Sequence, residues 1–400
     1  MKKVKSILLK IKNFLDKNKF IIGGILLIST LVVPVVSYPL FGRFEAKLDE
    51  KRDLNEFPEN LNDDFGKEFD AYYSDRAPYR DTSINLFHDI DFFLASLYCR
   101  LAEVIDENYV LKYGDDVILG KDRWLYYVGE DHDYMRDNIL SDDQLSLTDD
   151  IDRMIKDIEK MGKRVAFMVC PNKSTIYPDY LPKCYSKYGD LPTLVSVTKD
   201  YFERTNKSKI LYSLDDLKEN KSKEQLYYKY DSHHNEYGGL INYKILCDYF
   251  GDELGEYTFS KETKRIEQDL TSIAGLSPKE DVIYTFNYRP EISVIDEEIV
   301  GYIEYYKTNN PNNRKLAIIG DSYNNSMRPF FFKDYAQITY MHIDKVAADP
   351  EQYLSCPGFL EADTVVFLTV ERFFSIRFVE QAISSCAHRV IADYIENNYL

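Results

Sequence analysis

The sequence predicts an α/β domain: strands fed by crossover helices, forming a parallel sheet with helices on both faces as a three-layer sandwich. Three observations carry that expectation. Short apolar runs recur at 165–170, 315–319, 338–341 and 364–370, the form taken by strands buried on both faces. Stretches with helical spacing separate them, at 148–161, 236–250 and 374–387. A chain of 400 residues, 44% apolar and 29% charged, can build a sizeable core.

Taken in order, residues 1–19 hold Lys2, Lys3, Lys5, Lys10, Lys12, Lys17 and Lys19 against one acid, Asp16. Residues 20–41 carry no charge. At about 1.5 Å per residue that run can cross a bilayer core of about 30 Å. It is too long for the apolar part of a cleaved signal peptide, and Gly42-Arg43-Phe44-Glu45 is not a small-residue cleavage site. The expectation is a single-pass cell-membrane protein with a cytoplasmic basic tail and an extracellular body. Residues 42–110 read as a helical juxtamembrane stalk packed on the main domain. Phe65, Phe69, Tyr72 and Tyr73, then Ile84, Phe87 and Ile90, recur at helical intervals on either side of a turn at 75–80. Asp75, Arg76 and Arg80 are expected to tie the stalk to that domain.

The main domain, 111–400, opens with a β-hairpin at 117–127 whose turn is Gly120-Lys121-Asp122. A helix capped by Thr148 comes next, then the strand 165–170. Residues 282–307 alternate with period two and predict an antiparallel β insertion near 280–308. The strand 315–319 leads into Ser322 and a helix, and a final strand is expected at 389–392.

Composition excludes several classes. The net charge is −17, and setting the basic tail apart leaves a still more acidic body, so nucleic-acid binding is excluded. Six cysteines, with no Cys-x-x-Cys pair, are too sparse for a disulfide scaffold, and a bridge involving Cys184 or Cys356 stays open. No metal-ligand spacing is visible, and no metal or cofactor is expected.

Two strings carry the chemistry. Gly320-Asp321-Ser322-Tyr323 stands where a strand turns into a helix, at the carboxyl edge where ligands of such sheets collect. There a helix N-terminus favours a developing oxyanion, although Asp321 or Ser322 can equally serve as a helix cap. Asp231-Ser232-His233-His234-Asn235 puts a carboxylate two residues before an imidazole, which can fix the tautomer a general base needs. Its plainer reading is a polar loop capped by Asn235. Together the strings supply a hydroxyl, a base and an acid: Ser322, His233 and Asp231. Asp131-His132-Asp133 competes but reads as a solvated loop, and His342 as a structural histidine. Asn172, after the strand 165–170, is a candidate oxyanion donor, and Lys173 a candidate contact for an anionic sugar or donor group. Arg372, beyond the strand 364–370, either reaches the cleft or pairs with Glu371 or another acid. Arg328 is a weaker candidate.

Further short motifs lie in a characteristic order: Phe57-Pro58, Asp75-Arg76-Ala77-Pro78-Tyr79-Arg80, Gly120-Lys121-Asp122-Arg123-Trp124-Leu125-Tyr126, Pro171-Asn172-Lys173, Gly238 and Glu371-Arg372. With the two strings, they make the chain resemble the alginate O-acetyltransferase type of SGNH-hydrolase-like protein and its DHHW family relatives. The resemblance runs from just past the apolar run to the C-terminus. It implies an SGNH-like sandwich with permuted motif order, and Ser322 as nucleophile, His233 as base and Asp231 as its partner. Asn172, Lys173, Tyr323 and Arg372 are the candidate oxyanion and substrate-binding residues. One departure is His234, which stands where the family usually has Trp. The implied activity is O-acetyl transfer onto a cell-surface or secreted polysaccharide, with a multipass membrane acyltransferase as donor-side partner. A carbohydrate acetyl-esterase with the same triad, or a catalytically decayed scaffold of a polysaccharide-modification complex, are the alternatives.

Overall fold

A computed structural model of the chain describes residues 17–21, 24, 28–29, 32–33, 35–42, 53–59, 63–129, 142–186, 191–376, 391 and 396. The chain divides into two compact units, Met1–Phe93 and Leu94–Leu400. In the first, helix Phe65–Asp75 carries the aromatic spacing read from sequence, and Phe57 meets Phe69 and Tyr72 edge-on. The Asp75 carboxylate accepts from the backbone and side-chain nitrogens of Asn55 at 2.8 and 2.7 Å, and Arg76 donates to the Asn55 carbonyl. Arg80 pairs with Asp81. These contacts of the three residues expected to tie the stalk to the main domain thus lie inside the first unit. The apolar run 20–41 falls partly outside the described residues. Among the described residues, no helix is long and apolar enough to cross a membrane.

The second unit contains β1 (Lys112–Tyr113), β2 (Val117–Leu119), β3 (Leu125–Tyr127), β4 (Arg164–Cys170), β5 (Ile210–Tyr212), β6 (Thr258–Ile266), β7 (Lys279–Asn287), β8 (Val294–Val300), β9 (Ile303–Thr308), β10 (Lys315–Gly320), β11 (Gln337–His342) and β12 (Thr364–Val370). The main sheet has the order β5-β4-β12-β10-β11-β9-β8. Its first five strands are parallel, while β9 runs antiparallel to β11 and β8 antiparallel to β9. The sheet is therefore mixed rather than parallel throughout. The expected insertion splits in two: β8 and β9 extend the main sheet, and β7 pairs with β6 in a separate two-stranded sheet.

Alternation along each strand makes the three layers. Val165, Phe167 and Val169 of β4 join Ala317 and Ile319 of β10 and Val365 and Phe367 of β12 on one face. Helices Asp142–Lys160 and Leu194–Arg204 cover that face through Ile151, Ile155, Ile158, Val195 and Phe202. Ala166, Met168, Leu316, Ile318, Val366 and Leu368 face the other way, against Leu240, Tyr243 and Leu246 of helix Glu236–Phe250 and against the β2–β3 hairpin. Period two in a strand feeds both layers at once, which is why these runs are apolar without a break.

Two expectations need correcting. The helix before β4 begins at Asp142, and Thr148 lies inside it, its hydroxyl donating to the Leu145 carbonyl rather than capping. Of the expected strand 389–392, only Ile391 is described, and it is helical. The helix expected at 374–387 is described only as far as Ile376, within Glu371–Ile376. Among the described residues, no disulfide joins any of Cys99, Cys170, Cys184, Cys247 and Cys356, and Cys386 lies outside them.

Candidate active site

The carboxyl ends of β4, β12 and β10 lie side by side and deliver 171–173, 371–372 and 321–322 to one edge of the sheet. Asp321 is fully buried. It accepts from Tyr323 N–H at 2.9 Å, from Val370 N–H at 2.7 Å and from the Thr369 hydroxyl. Burial raises its pKa, while those two N–H donors and the charges of Arg372 and His233 pull the other way. The capping role belongs to Asp321, which leaves the Ser322 side chain to point elsewhere. The chain then makes a five-residue 3₁₀ turn, Ser322–Ser326, and only after it helix Arg328–Asp334. The expected helix-dipole contribution at Ser322 therefore reduces to its own backbone N–H at the start of that turn.

The histidine string is a turn locked at both ends. Asn235 caps helix Glu236–Phe250 by accepting from Tyr237 and Gly238 N–H, a contact of about 1 kcal/mol. Its side-chain nitrogen donates to the Gln225 carbonyl at 2.7 Å, and His234 bridges Tyr227. The cap read from sequence as the plainer alternative is present, and it positions the string. His233 Nδ1 lies 2.6 Å from Asp231 Oδ1, and His233 Nε2 lies 2.7 Å from Ser322 Oγ. Residues 231, 233 and 322, eighty-nine positions apart at the widest His–Ser step, form one continuous hydrogen-bonded chain. Asp231, His233 and Ser322 are all half-buried, so the hydrogen-bonded relay is partly open to solvent.

Burial alone would lower the His233 pKa, but bonds and charges from Asp231 and Asp269 outweigh it and raise the value to about 9. Asp231 moves oppositely: burial favours its neutral form, yet the His233 contact and backbone N–H bonds hold it well below the usual carboxylate range. His234 points away from this chain. It is buried, its Nδ1 is 2.5 Å from Ser326 Oγ, and among the described residues its Nε2 has no partner. Burial, followed by the charge of His233, lowers its pKa to about 3, so it stays neutral between Tyr227 and Tyr323.

The flanking candidates separate on burial. Lys173 is buried, and its ammonium donates to the carbonyls of Leu125, Lys229 and Asp231 at 2.7–2.9 Å, above the rings of Trp124 and Tyr126. It clamps the β2–β3 hairpin to the histidine string, in place of the expected contact with an anionic sugar. Tyr323 is buried too. Its hydroxyl donates to the Ser232 carbonyl at 2.7 Å, and its ring supports His233, so it is a strut rather than a cleft wall. Arg372 is buried against the Tyr127, Tyr323 and Phe373 rings and donates to the Tyr323 hydroxyl. Glu371 instead accepts from Asn172 N–H and the Thr175 hydroxyl. The Asn172 Oδ1 accepts from Arg372 N–H, which leaves the amide nitrogen as its donor. Arg328 pairs with Glu304 and lies over Tyr340. His342 accepts from Asp344 N–H as a helix cap. The string 131–133 lies outside the described residues.

Sequence reasoning missed two carboxylates, both from the region between helix Glu236–Phe250 and β8. Asp281 on β7 accepts from the N–H groups of Lys229 and Tyr230 and from Gln268. Asp269 accepts from Ser232 N–H at 2.8 Å, and its own N–H donates to Asp231 Oδ2 at 2.9 Å. No spacing rule links them to His233. Among the described residues, Asp231, His233 and Asp269 are the one group whose ligand atoms lie close enough to share a cation. Asp231 and His233 already bond to each other, and Asp269 bonds to Ser232 and, through its backbone N–H, to Asp231.

An α/β sandwich carrying a Ser–His–Asp contact at the carboxyl edge of its sheet is the arrangement of an SGNH-hydrolase-like domain. The chain belongs to the family described as SGNH hydrolase-like domain, acetyltransferase AlgX, whose model matches residues 117–335. Bacillus cereus PatB1 with a sulfonyl adduct shares the fold at a TM-score of 0.50 and 14% identity, over 67% of this chain and 99% of that one. The O-acetyltransferase domain of Pseudomonas putida AlgJ aligns at 15% identity and a TM-score of 0.44, over 68% and 99% of the two chains. A DHHW family protein from Eubacterium siraeum aligns at 17% identity and a TM-score of 0.44, over 68% and 96%. No curated protein matches the chain.

Proposed function

We propose that this protein is an O-acetyltransferase that esterifies a cell-surface or secreted polysaccharide through an acyl-enzyme on Ser322. The observation that carries the reading is the unbroken contact from Asp231 through His233 to Ser322, in a chain of the acetyltransferase AlgX family. As Ser322 Oγ attacks the acyl carbonyl carbon of a donor ester, its proton passes to His233 Nε2. Asp231 accepts the hydrogen bond from Nδ1–H and stabilises the imidazolium. The tetrahedral oxyanion takes hydrogen bonds from Ser322 N–H and the Asn172 amide. Collapse expels the donor alcohol with the proton from Nε2, leaving the acetyl group on Ser322. A sugar hydroxyl then gives its proton to Nε2 while its oxygen attacks the ester, and Ser322 leaves with that proton.

The same reading makes the uncharged run 20–41 a retained anchor and places the body outside the cytoplasm. Acetyl-CoA is absent there, so a multipass membrane acyltransferase delivers the acetyl group. The test is incubation of the purified protein with 4-nitrophenyl acetate and a polysaccharide acceptor, reading polymer-bound acetyl by NMR. Acetylated polymer, lost in Ser322→Ala, supports transfer. Free acetate alone replaces it with the esterase, and no turnover at all with the scaffold.

A further inference from the structure

We propose that Asp269 is a positioning residue of the proton relay: a second carboxylate that shares His233 Nδ1 with Asp231 and locks Asp231 in place. The proposal rests on the acyl-transfer reading of Ser322 and names a regulator of that same site. Asp269 opens the short helix Asp269–Ile273, thirty-eight residues beyond Asp231, between the two strands of the separate sheet. Three contacts bind it to the histidine string. Its backbone N–H donates to Asp231 Oδ2, the carboxylate oxygen that faces away from His233. Its Oδ1 accepts from Ser232 N–H, and its Oδ2 accepts from the Ser232 hydroxyl. That same Oδ2 stands 3.4 Å from His233 Nδ1, as does Ser232 Oγ.

The consequence is electrostatic as well as geometric. An imidazolium facing two carboxylates is stabilised beyond what one supplies, and His233 accordingly holds its proton to about pH 9. Among the described residues, its other neighbours add no third carboxylate in contact with the ring. The histidine string contributes Asp231, Ser232 and neutral His234, and the serine turn contributes Ser322 and Tyr323, with Asp321 buried behind. The Lys173 ammonium meets this string at the Asp231 carbonyl, and Arg372 stands behind the Tyr323 hydroxyl. Asp269 thus trades availability of the free base at neutral pH for a more stable imidazolium in the transition state.

The experiment is an NMR pH titration of the ¹³C-histidine-labelled full chain in detergent, with the His233 signal assigned by its loss in His233→Gln. In Asp269→Asn the His233 midpoint falls by about one pH unit or more. The pH midpoint of kcat/KM for 4-nitrophenyl acetate falls with it. Asp269→Glu, which keeps the charge, stays near the wild-type midpoint while kcat drops. An Asp269→Asn midpoint equal to wild type overturns the proposal, and so does an Asp269→Glu midpoint as low as that of Asn. A wild-type protein that cleaves no ester defeats the acyl-transfer reading, whereas the titration still judges Asp269 on its own.

Discussion

His234 should make this domain acid-labile in a window set by its surroundings. In the folded chain its pKa is lowered from 6.5 to about 3, first by burial and then by the charge of His233. A base with a depressed folded-state pKa is protonated first in the unfolded chain, so stability falls as pH drops below 6.5 and goes on falling until about 3. Each pH unit in that window costs about 1.4 kcal/mol. Between pH 6.5 and 4.5 the loss from this one side chain is therefore about 2–3 kcal/mol. The sign is opposite for His233, whose pKa is raised to about 9. Its contribution is complete below 6.5 and disappears only as pH rises through 9, so it is flat across the window. Asp231, held low, loses its contribution below its ordinary 3.8, beneath both of the pH values compared, 6.5 and 4.5. The assay is urea unfolding at pH 6.5 and 4.5, followed through Trp124, the single tryptophan of the chain and a buried one. The comparison is with His234→Gln, which keeps a polar partner for Ser326 but does not titrate. Wild type should lose about 2–3 kcal/mol more than the variant between the two pH values. Equal losses would refute the argument that a neutral, buried His234 underlies the site.

Lys173→Met removes the donor shared by three carbonyls and should destabilise the domain by about 2–4 kcal/mol, read as a lower thermal midpoint. Gly239→Ala puts a Cβ 2.5 Å from the Ser326 carbonyl oxygen, so the serine turn must shift; kcat should fall more than KM changes, with a stability cost of about 1–3 kcal/mol. The pH–rate profile of ester cleavage should rise with pH and level off above about 9, because the raised His233 pKa keeps the base protonated below it.

The parts of the fold that were legible are those whose physics is local. β4, β10 and β12 are buried on both faces, so their apolar runs mark them without ambiguity. Helix Glu236–Phe250 announces itself through the Asn235 cap and stops at Gly251, whose φ of 69° suits glycine. β6, Thr-Phe-Ser-Lys-Glu-Thr-Lys-Arg-Ile, is exposed along almost its whole length and leaves no apolar signature. β8 is likewise exposed throughout, and nothing in its residues says that β9 will dock on β11. At the site, the residues of Asp231-x-His233 and Gly-Asp-Ser could be read because each string is short. Whether Lys173, Tyr323 and Arg372 face the cleft or the interior depended on burial, which neighbouring strands decide. Asp269 depended on a contact closed over thirty-eight residues through a separate sheet.

Intact-mass spectrometry of the purified chain after a brief, acid-quenched exposure to 4-nitrophenyl acetate tests the covalent step itself. Wild type should gain the mass of one acetyl group, mapped by peptide fragmentation to Ser322, and Ser322→Ala should gain none. An adduct that persists in Ser322→Ala, or a wild-type protein that turns over ester while His233→Ala does so equally well, would contradict it.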